Sequence, residues 1–329
     1  MGNLKDVRVL VTGGAGFVGS FVAEGLLKEG VREIIILDNL VRGSESNIRA
    51  AMASQKTRFI KGDIRDKGMV AELSVGINYC FHLAALRITH CASDPQEAFE
   101  VMYGGTFNVL EACVEQKIKK VIFASSASIY GQADSFPTPE KHHPYNNITL
   151  YGAAKMAAEL MLRSFYQMYG LDYVSLRYFN IYGPRMDIYG KYTEVLIKWY
   201  NLIKDGKRPV IYGDGKQTMD FIFVEDVARA TIMACKSETS NEVFNIGSGV
   251  ETSLKELCLA LLKVMGSNLK PEYLPVSDER KKVEVKRRWA DISKSSQILG
   301  FEARVSLKEG LQKLVIWLKE QEKNTHQKT

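Results

Sequence analysis

Tyr151 and Lys155, in Tyr151-Gly152-Ala153-Ala154-Lys155, put a phenol and an ammonium one helical turn apart. Such a pair can act as a proton acceptor and the cation that favours its anion. Spacing alone selects nothing, because Tyr200/Lys204 and Tyr212/Lys216 repeat it. Position separates the three. Tyr151 opens a long amphipathic stretch over 149–169, downstream of an apolar run that ends in Ala124-Ser125-Ser126, so a serine hydroxyl emerges at the end of that run. Tyr200 lies in a helical pattern and Tyr212 in a Gly-rich turn, and both of those pairs read as structural.

A second chemistry resides in Val9-Leu10-Val11-Thr12-Gly13-Gly14-Ala15-Gly16-Phe17-Val18-Gly19. Glycine permits a tight turn, lets backbone N–H groups approach a pyrophosphate, and lets a helix pack close to a strand. The helix N-terminus then turns its partial positive charge to the anion. The next apolar run ends in Asp38, where a carboxylate bonds the hydroxyls of an adenosine ribose. That acid favours NAD, since the extra phosphate of NADP would meet a negative charge; Arg42 nearby is the feature that suits NADP. Asp63, in Gly62-Asp63-Ile64-Arg65, either reaches the adenine or caps a helix.

These groups need a scaffold that sets strand ends beside helix starts. Short β-branched runs at 8–11, 33–37, 58–60, 79–83, 120–124 and 173–176 alternate with amphipathic stretches such as 17–29, 95–116 and 149–169. The alternation predicts an α/β fold, a Rossmann-type doubly wound parallel sheet covered on both faces. After Arg185 the pattern shortens, and Gly and Pro punctuate 206–215. The expected organisation is a dinucleotide-binding domain over 1–180, to which the chain returns around 216–244, and a smaller mixed substrate domain over 181–329. Hydrophobic residues at 46% and charged residues at 25% exclude disorder. No apolar run approaches the ~20 residues that span a bilayer, so a cytoplasmic protein is expected. Lys and Arg (44) exceed Asp and Glu (38), but the excess is scattered and follows no nucleic-acid-binding pattern. Cys80, Cys91, Cys113, Cys235 and Cys258 are widely spaced and read as reduced thiols. No metal-ligand spacing stands out, and His142-His143 reads as surface.

Five motifs occur in order: the glycine-rich loop, His82-Leu83-Ala84-Ala85, Ser125-Ser126-Ala127-Ser128-Ile129-Tyr130-Gly131, Tyr151 with Lys155, and Leu176-Arg177-Tyr178-Phe179-Asn180-Ile181-Tyr182-Gly183-Pro184-Arg185. Together they resemble the extended short-chain dehydrogenase/reductases, and within them the nucleotide-sugar epimerase/dehydratase group, from about residue 7 to 301. The resemblance implies NAD held by Gly13, Gly16, Phe17, Val18, Gly19, Asp38, Asn39, Asp63, Ile64, Leu83, Ala84, Ala85, Arg87, Tyr151, Lys155 and Tyr178. It implies a UDP-linked sugar held by Ser126, Ser128, Asn180, Arg185, Tyr212, Arg280 and Arg288, with Tyr151, Lys155 and Ser126 catalytic. Tyr151, as phenolate, would take the proton of a sugar hydroxyl while hydride leaves the same carbon.

Within that group, sugar 4,6-dehydratases place Asp-Glu directly after the catalytic hydroxyl and uronate decarboxylases keep the Glu. Here those positions are Ala127 and Ser128. Epimerisation at carbon 4 through a transient 4-keto sugar is therefore the leading expectation. The alternatives are a reductase or dehydrogenase, a 4,6-dehydratase, and a non-catalytic NAD(P)-sensing protein. Two departures stand out: Met102 where the group has Asn, and Met219 where it has a diphosphate-binding Arg, whose charge Arg185, Arg280 or Lys281 would replace. Arg288 aligns with the residue that gates the sugar pocket in relatives. It pairs with the carboxylate of a nucleotide-linked uronate, or takes over the lost phosphate contact, or lies on the surface. The stretches 95–116 and 149–169 are apolar on more than one face, which with the resemblance implies a homodimer through a four-helix bundle.

Overall fold

The computed structural model describes residues 2–188, 195–276 and 285–326. Strands β1 (Arg8–Thr12), β2 (Glu33–Asp38), β3 (Thr57–Lys61), β4 (Tyr79–His82), β5 (Lys120–Ser126) and β6 (Tyr173–Tyr178) lie where the apolar runs predict them. They are followed by β7 (Asn180–Tyr182), β8 (Val210–Tyr212), β9 (Thr218–Phe223), β10 (Glu242–Ile246), β11 (Glu251–Ser253), β12 (Glu272–Leu274) and β13 (Arg287–Arg288). The main sheet has seven strands in the order β10-β6-β5-β4-β1-β2-β3, and every pairing is parallel. Leu10, Val11, Ile34, Ile35, Val121, Ile122 and Val174 are at most 1% exposed, so both faces of the sheet are covered by apolar packing.

The chain builds outward from β1 through β2 to β3, then crosses to β4 on the other side of β1 and continues through β5, β6 and β10. The carboxyl ends of β1 and β4 border this reversal. In open α/β sheets that crevice is where ligands bind.

The stretch 95–116 is not one regular helix. Pro95–Phe99 and Thr106–Glu115 are α-helical, and Glu100–Gly105 between them is a π-helical turn. A Cβ on Gly105 would lie 2.6 Å from Ile64 Cγ1, and Thr106 Oγ1 donates to the Met102 carbonyl at 2.7 Å, occupying an acceptor within the widened turn. Met102 is buried, and its sulfur accepts the Leu86 N–H at 3.2 Å, a weak bond where an amide would make a stronger one.

The remaining strands form a small sheet, β11-β9-β13 with β7 on β9, and a two-stranded pair, β8 with β12. Their core gathers Trp199, Tyr200, Leu257, Leu261, Leu311 and Leu314, so Tyr200 is structural. The helix Val224–Lys236 packs on the helix Phe17–Lys28 and leads the chain into β10. All five cysteines are buried and unpaired. His142, expected at the surface, is instead 8% exposed, its ring edge-on to Tyr130 at 5.7 Å. Among the described residues, no helix is long and apolar enough to cross a membrane.

Candidate active site

A cavity of about 490 Å³ opens at the reversal of the sheet. Gly13, at φ +69°, has no room for a side chain: a Cβ there would lie 2.6 Å from Ala84 N. A Cβ on Gly19 would collide with the Gly13 carbonyl. The glycines thus bring the first loop, the start of the helix Phe17–Lys28 and the segment after β4 into backbone contact. Gly16 precedes that helix without any side-chain cap, which leaves its first turn facing the cavity as a cradle for an anion. Gly13, Gly16, Phe17, Val18, Gly19, Leu83, Ala84 and Ala85 all line the cavity.

Asp38, at the end of β2, accepts the Ala15 N–H at 3.0 Å on one oxygen and the Leu40 N–H at 2.9 Å on the other. Burial pushes its carboxyl up, while these N–H groups and Arg42 pull it back. Each oxygen retains acceptor capacity for a ribose hydroxyl. Asp63 is bonded by Asn39 Nδ2 at 2.8 Å and paired with Arg65 at 2.9 Å. Burial acts to raise its carboxyl, yet the Arg65 and Asn39 bonds hold it below the usual range. The next helix, Lys67–Ser74, is capped by Asp66, which accepts the Met69 N–H at 3.0 Å, so Asp63 is not a cap. It lines the cavity with Asn39 and Ile64. A glycine cradle and a buried acid with spare acceptor sites fit an adenine dinucleotide.

Thr149 starts the helix Leu150–Tyr169 by accepting the Gly152 N–H at 3.1 Å. This places Tyr151 in the first turn and Lys155 one turn on, both facing the cavity. Lys155 Nζ donates to the Ala124 carbonyl of β5 at 2.6 Å and lies 5.8 Å from the centre of the Tyr151 ring. Burial brings the lysine down to about 8. Burial also pushes the Tyr151 phenol up, against which a hydrogen bond from Ser126 and the charges of Arg42 and Arg288 act. Ser126 accepts the Ser128 N–H on its own oxygen at 3.1 Å, which orients the hydroxyl hydrogen elsewhere. Tyr178 lines the cavity with its ring, its hydroxyl bonded to Thr231 at 2.7 Å.

Of the described residues expected to hold a sugar nucleotide, Arg185 alone lines the cavity, while Ser126, Ser128, Asn180 and Arg288 do not. Asn180 keeps a buried Oδ1 with no partner. Arg185, at φ +71°, lies on the Phe21 ring and pairs with Glu24 at 2.5 Å. Arg87 pairs with Asp187 at 2.9 Å, which ties the loop after β4 to the opposite wall. Arg288 stands on β13 in register with Met219. Burial lowers its guanidinium to about 10, and its Nε has no partner. Tyr212 ends β8 at 41% exposure, outside the described lining. Arg280 and Lys281 fall outside the described residues. Trp317 and Gln321, from the helix Leu307–His326, line the cavity without any local motif to announce them.

Residues 9–247 match the model of the NAD dependent epimerase/dehydratase family. A putative UDP-glucose 4-epimerase of Methanocaldococcus jannaschii is 36% identical over 94% of this chain and 98% of its own length. The solved UDP-N-acetylglucosamine 4-epimerase of Methanobrevibacter ruminantium M1, in complex with UDP-N-acetylmuramic acid, superimposes with a TM-score of 0.89 at 33% identity, over 96% of this chain and 99% of its own. The UDP-glucuronic acid 4-epimerase of Bacillus cereus, solved with NAD and a fluorinated UDP-glucuronic acid, gives a TM-score of 0.86 at 29% identity, over 96% and 100%. The chain belongs to the NAD-dependent epimerase/dehydratase family, and NAD is its cofactor.

Proposed function

We propose that this protein inverts carbon 4 of a UDP-linked sugar, and that the sugar bears a carboxylate. The observation that carries the first part is the placing of Tyr151 and Lys155 on the cavity wall with Ser126 hydrogen-bonded to the Tyr151 phenol, and with Ala127 and Ser128 where elimination chemistry needs acids. NAD, when bound, supplies the acceptor and donor of hydride. Tyr151 takes the proton of the 4-hydroxyl at its phenolic oxygen and later returns it. Ser126 hydrogen-bonds the same sugar oxygen, and Lys155, anchored on Ala124, favours the phenolate. Asn180 would donate its amide Nδ2 to the diphosphate, as the resemblance implies.

Arg288 supports the acidic sugar. Arg87, Arg185 and Arg287 each have a carboxylate partner in Asp187, Glu24 and Glu251. Arg288, whose charge acts on Tyr151, has none among the described residues. A guanidinium pairs bidentately with a carboxylate, and a uronate would supply one. A second reading rests on the register of Arg288 with Met219, which suits contact with the diphosphate instead.

Two helices support a homodimer through a four-helix bundle. Phe99, Phe107, Leu160 and Met168 expose 61, 42, 57 and 68% of their surface along the helices of 95–115 and Leu150–Tyr169. Five unpaired, buried cysteines suit a reducing, cytoplasmic compartment. The activity test is NMR of UDP-glucose, UDP-N-acetylglucosamine and UDP-glucuronate incubated with the NAD-loaded enzyme. The expected result is a 4-epimer, fastest from the uronate, with no net NADH. Accumulating NADH, a 4,6-dehydrated product or loss of carbon dioxide overturns the reading.

A further inference from the structure

The loop between Tyr130 and the catalytic helix folds Asp134 against two adjacent imidazoles, an arrangement the catalytic reading does not use. His142 Nδ1 donates to the His143 carbonyl at 2.6 Å, so in the neutral ring Nε2 carries the lone pair. That lone pair faces Asp134 Oδ1 at 2.8 Å, with the Asp134 N–H a longer 3.2 Å away. His143 Nε2 faces the other carboxylate oxygen at 3.0 Å. A carboxylate oxygen at that distance calls for a cation at Nε2, either the proton of an imidazolium or a metal ion. A ring nitrogen bonded to a backbone carbonyl, which fixes the other nitrogen as an acceptor, is the orientation of metal-ligating histidines, and an ion at His142 Nε2 would take the place of the Asp134 N–H it accepts. Separations of 2.8 and 3.0 Å are those of ligands about 90° apart on an ion whose bonds are ~2.0–2.2 Å long, a six-coordinate arrangement that water would complete.

We infer that Asp134, His142 and His143 form a binding site for a divalent transition-metal ion of zinc's class. The three ligand atoms lie within 4.8 Å of one another. The Asp134 and His143 side chains are 60% and 41% exposed, which gives the ion a path in and leaves water to complete its shell. The buried His142 anchors the site from the protein side. In the same loop, the Thr138 N–H donates to the Trp289 carbonyl at 2.8 Å, and the Thr138 carbonyl accepts the Asp291 N–H at 3.0 Å. An ion here braces the loop that holds Arg288 in place.

The test is calorimetric titration of the chelator-treated, NAD-loaded enzyme with zinc chloride, repeated with cobalt(II) to read the ligand field by absorbance. The expected result is one saturable zinc ion per chain and cobalt bands of nitrogen and oxygen ligation. Asp134→Asn and His143→Ala should each weaken zinc by more than the roughly 10- to 100-fold typical of an outer-shell change. His90→Gln, at the separate His90–Glu97 contact of 2.6 Å, should leave it unchanged. Zinc binding that is absent, or equally tight in Asp134→Asn, His143→Ala and the parent, overturns the site. Since zinc affinity is read independently of turnover, its failure is distinct from failure of the epimerase reading.

Discussion

Lys155 lies under Tyr151, with its Nζ 5.8 Å from the phenol ring centre and 2.6 Å from the carbonyl of Ala124. The β5 carbonyl fixes the ammonium one helical turn from the phenol, where the proposed mechanism uses it to favour phenolate, while Ser126 hydrogen-bonds the hydroxyl itself. Tyr151→Phe removes the proton acceptor and keeps the ring. It should lower kcat by about 10²- to 10⁴-fold, the usual weight of a general base, with NAD still bound. Retained turnover would show that another group takes the proton.

Arg288→Ala tests the sugar. Losing a charged hydrogen bond costs about 1.5–3 kcal/mol, or roughly 10- to 150-fold in kcat/KM. The expected loss falls on UDP-glucuronate and spares UDP-glucose. An equal loss for both assigns Arg288 to the diphosphate.

His82 gives the fold a defined acid sensitivity. Its ring nitrogens are held by Thr12 at 2.7 Å and Thr106 at 3.1 Å, and burial, with the Lys155 charge adding, lowers it from 6.5 to about 3. Between those values the unfolded chain binds a proton that the folded chain refuses. The stability present above pH 6.5 is therefore lost as pH falls toward 3, by up to about 1.4 kcal/mol per unit. His82→Gln lacks this titration, so urea midpoints should fall less steeply with acid in the variant than in the parent. Parallel curves would refute it.

Gly19→Ala places a methyl against the Gly13 carbonyl, in backbone that has no flexible end to yield. Overpacking of this kind costs about 1–3 kcal/mol. The expected outcome is a lower Tm together with weakened NAD binding, measured by thermal melts with and without NAD. Unchanged NAD affinity would mean that the loop tolerates the shift.

Leu160→Glu puts a charge on the exposed apolar face of the catalytic helix, 57% open in the single chain. If that face is the dimer interface, sedimentation at micromolar concentration should move from dimer to monomer with the fold intact. A parent that sediments as a monomer refutes the bundle directly.

What could be read from sequence is what neighbouring residues build together. Gly13 to Gly19 with Asp38 span one β-α-β unit, and Tyr151 with Lys155 one helical turn, so backbone geometry keeps each group's partners together, while position after β5 rather than spacing sets this Tyr/Lys pair apart from the other two. Strands β1 to β6 of the main sheet are legible because burial on both faces demands continuous apolar runs, whereas β10, with Asn245 breaking its apolar pattern, is not. The tertiary structure decided whatever depends on contacts far apart in the chain. The π-helical turn at Glu100–Gly105 answers to Ile64 and Leu86, which no local pattern in that stretch contains. Arg288 is separated from Tyr151 by most of the second half of the chain, and the pairing of β13 with β9 and of Thr138 with Trp289 brings its charge within reach of the phenol. His142 looked like a surface residue because its polar, Pro-flanked surroundings carry no sign of Tyr130 or Asp134, which fold over it. Side-chain burial and charge pairing are properties of packed surfaces, and those surfaces exist only once the elements have docked.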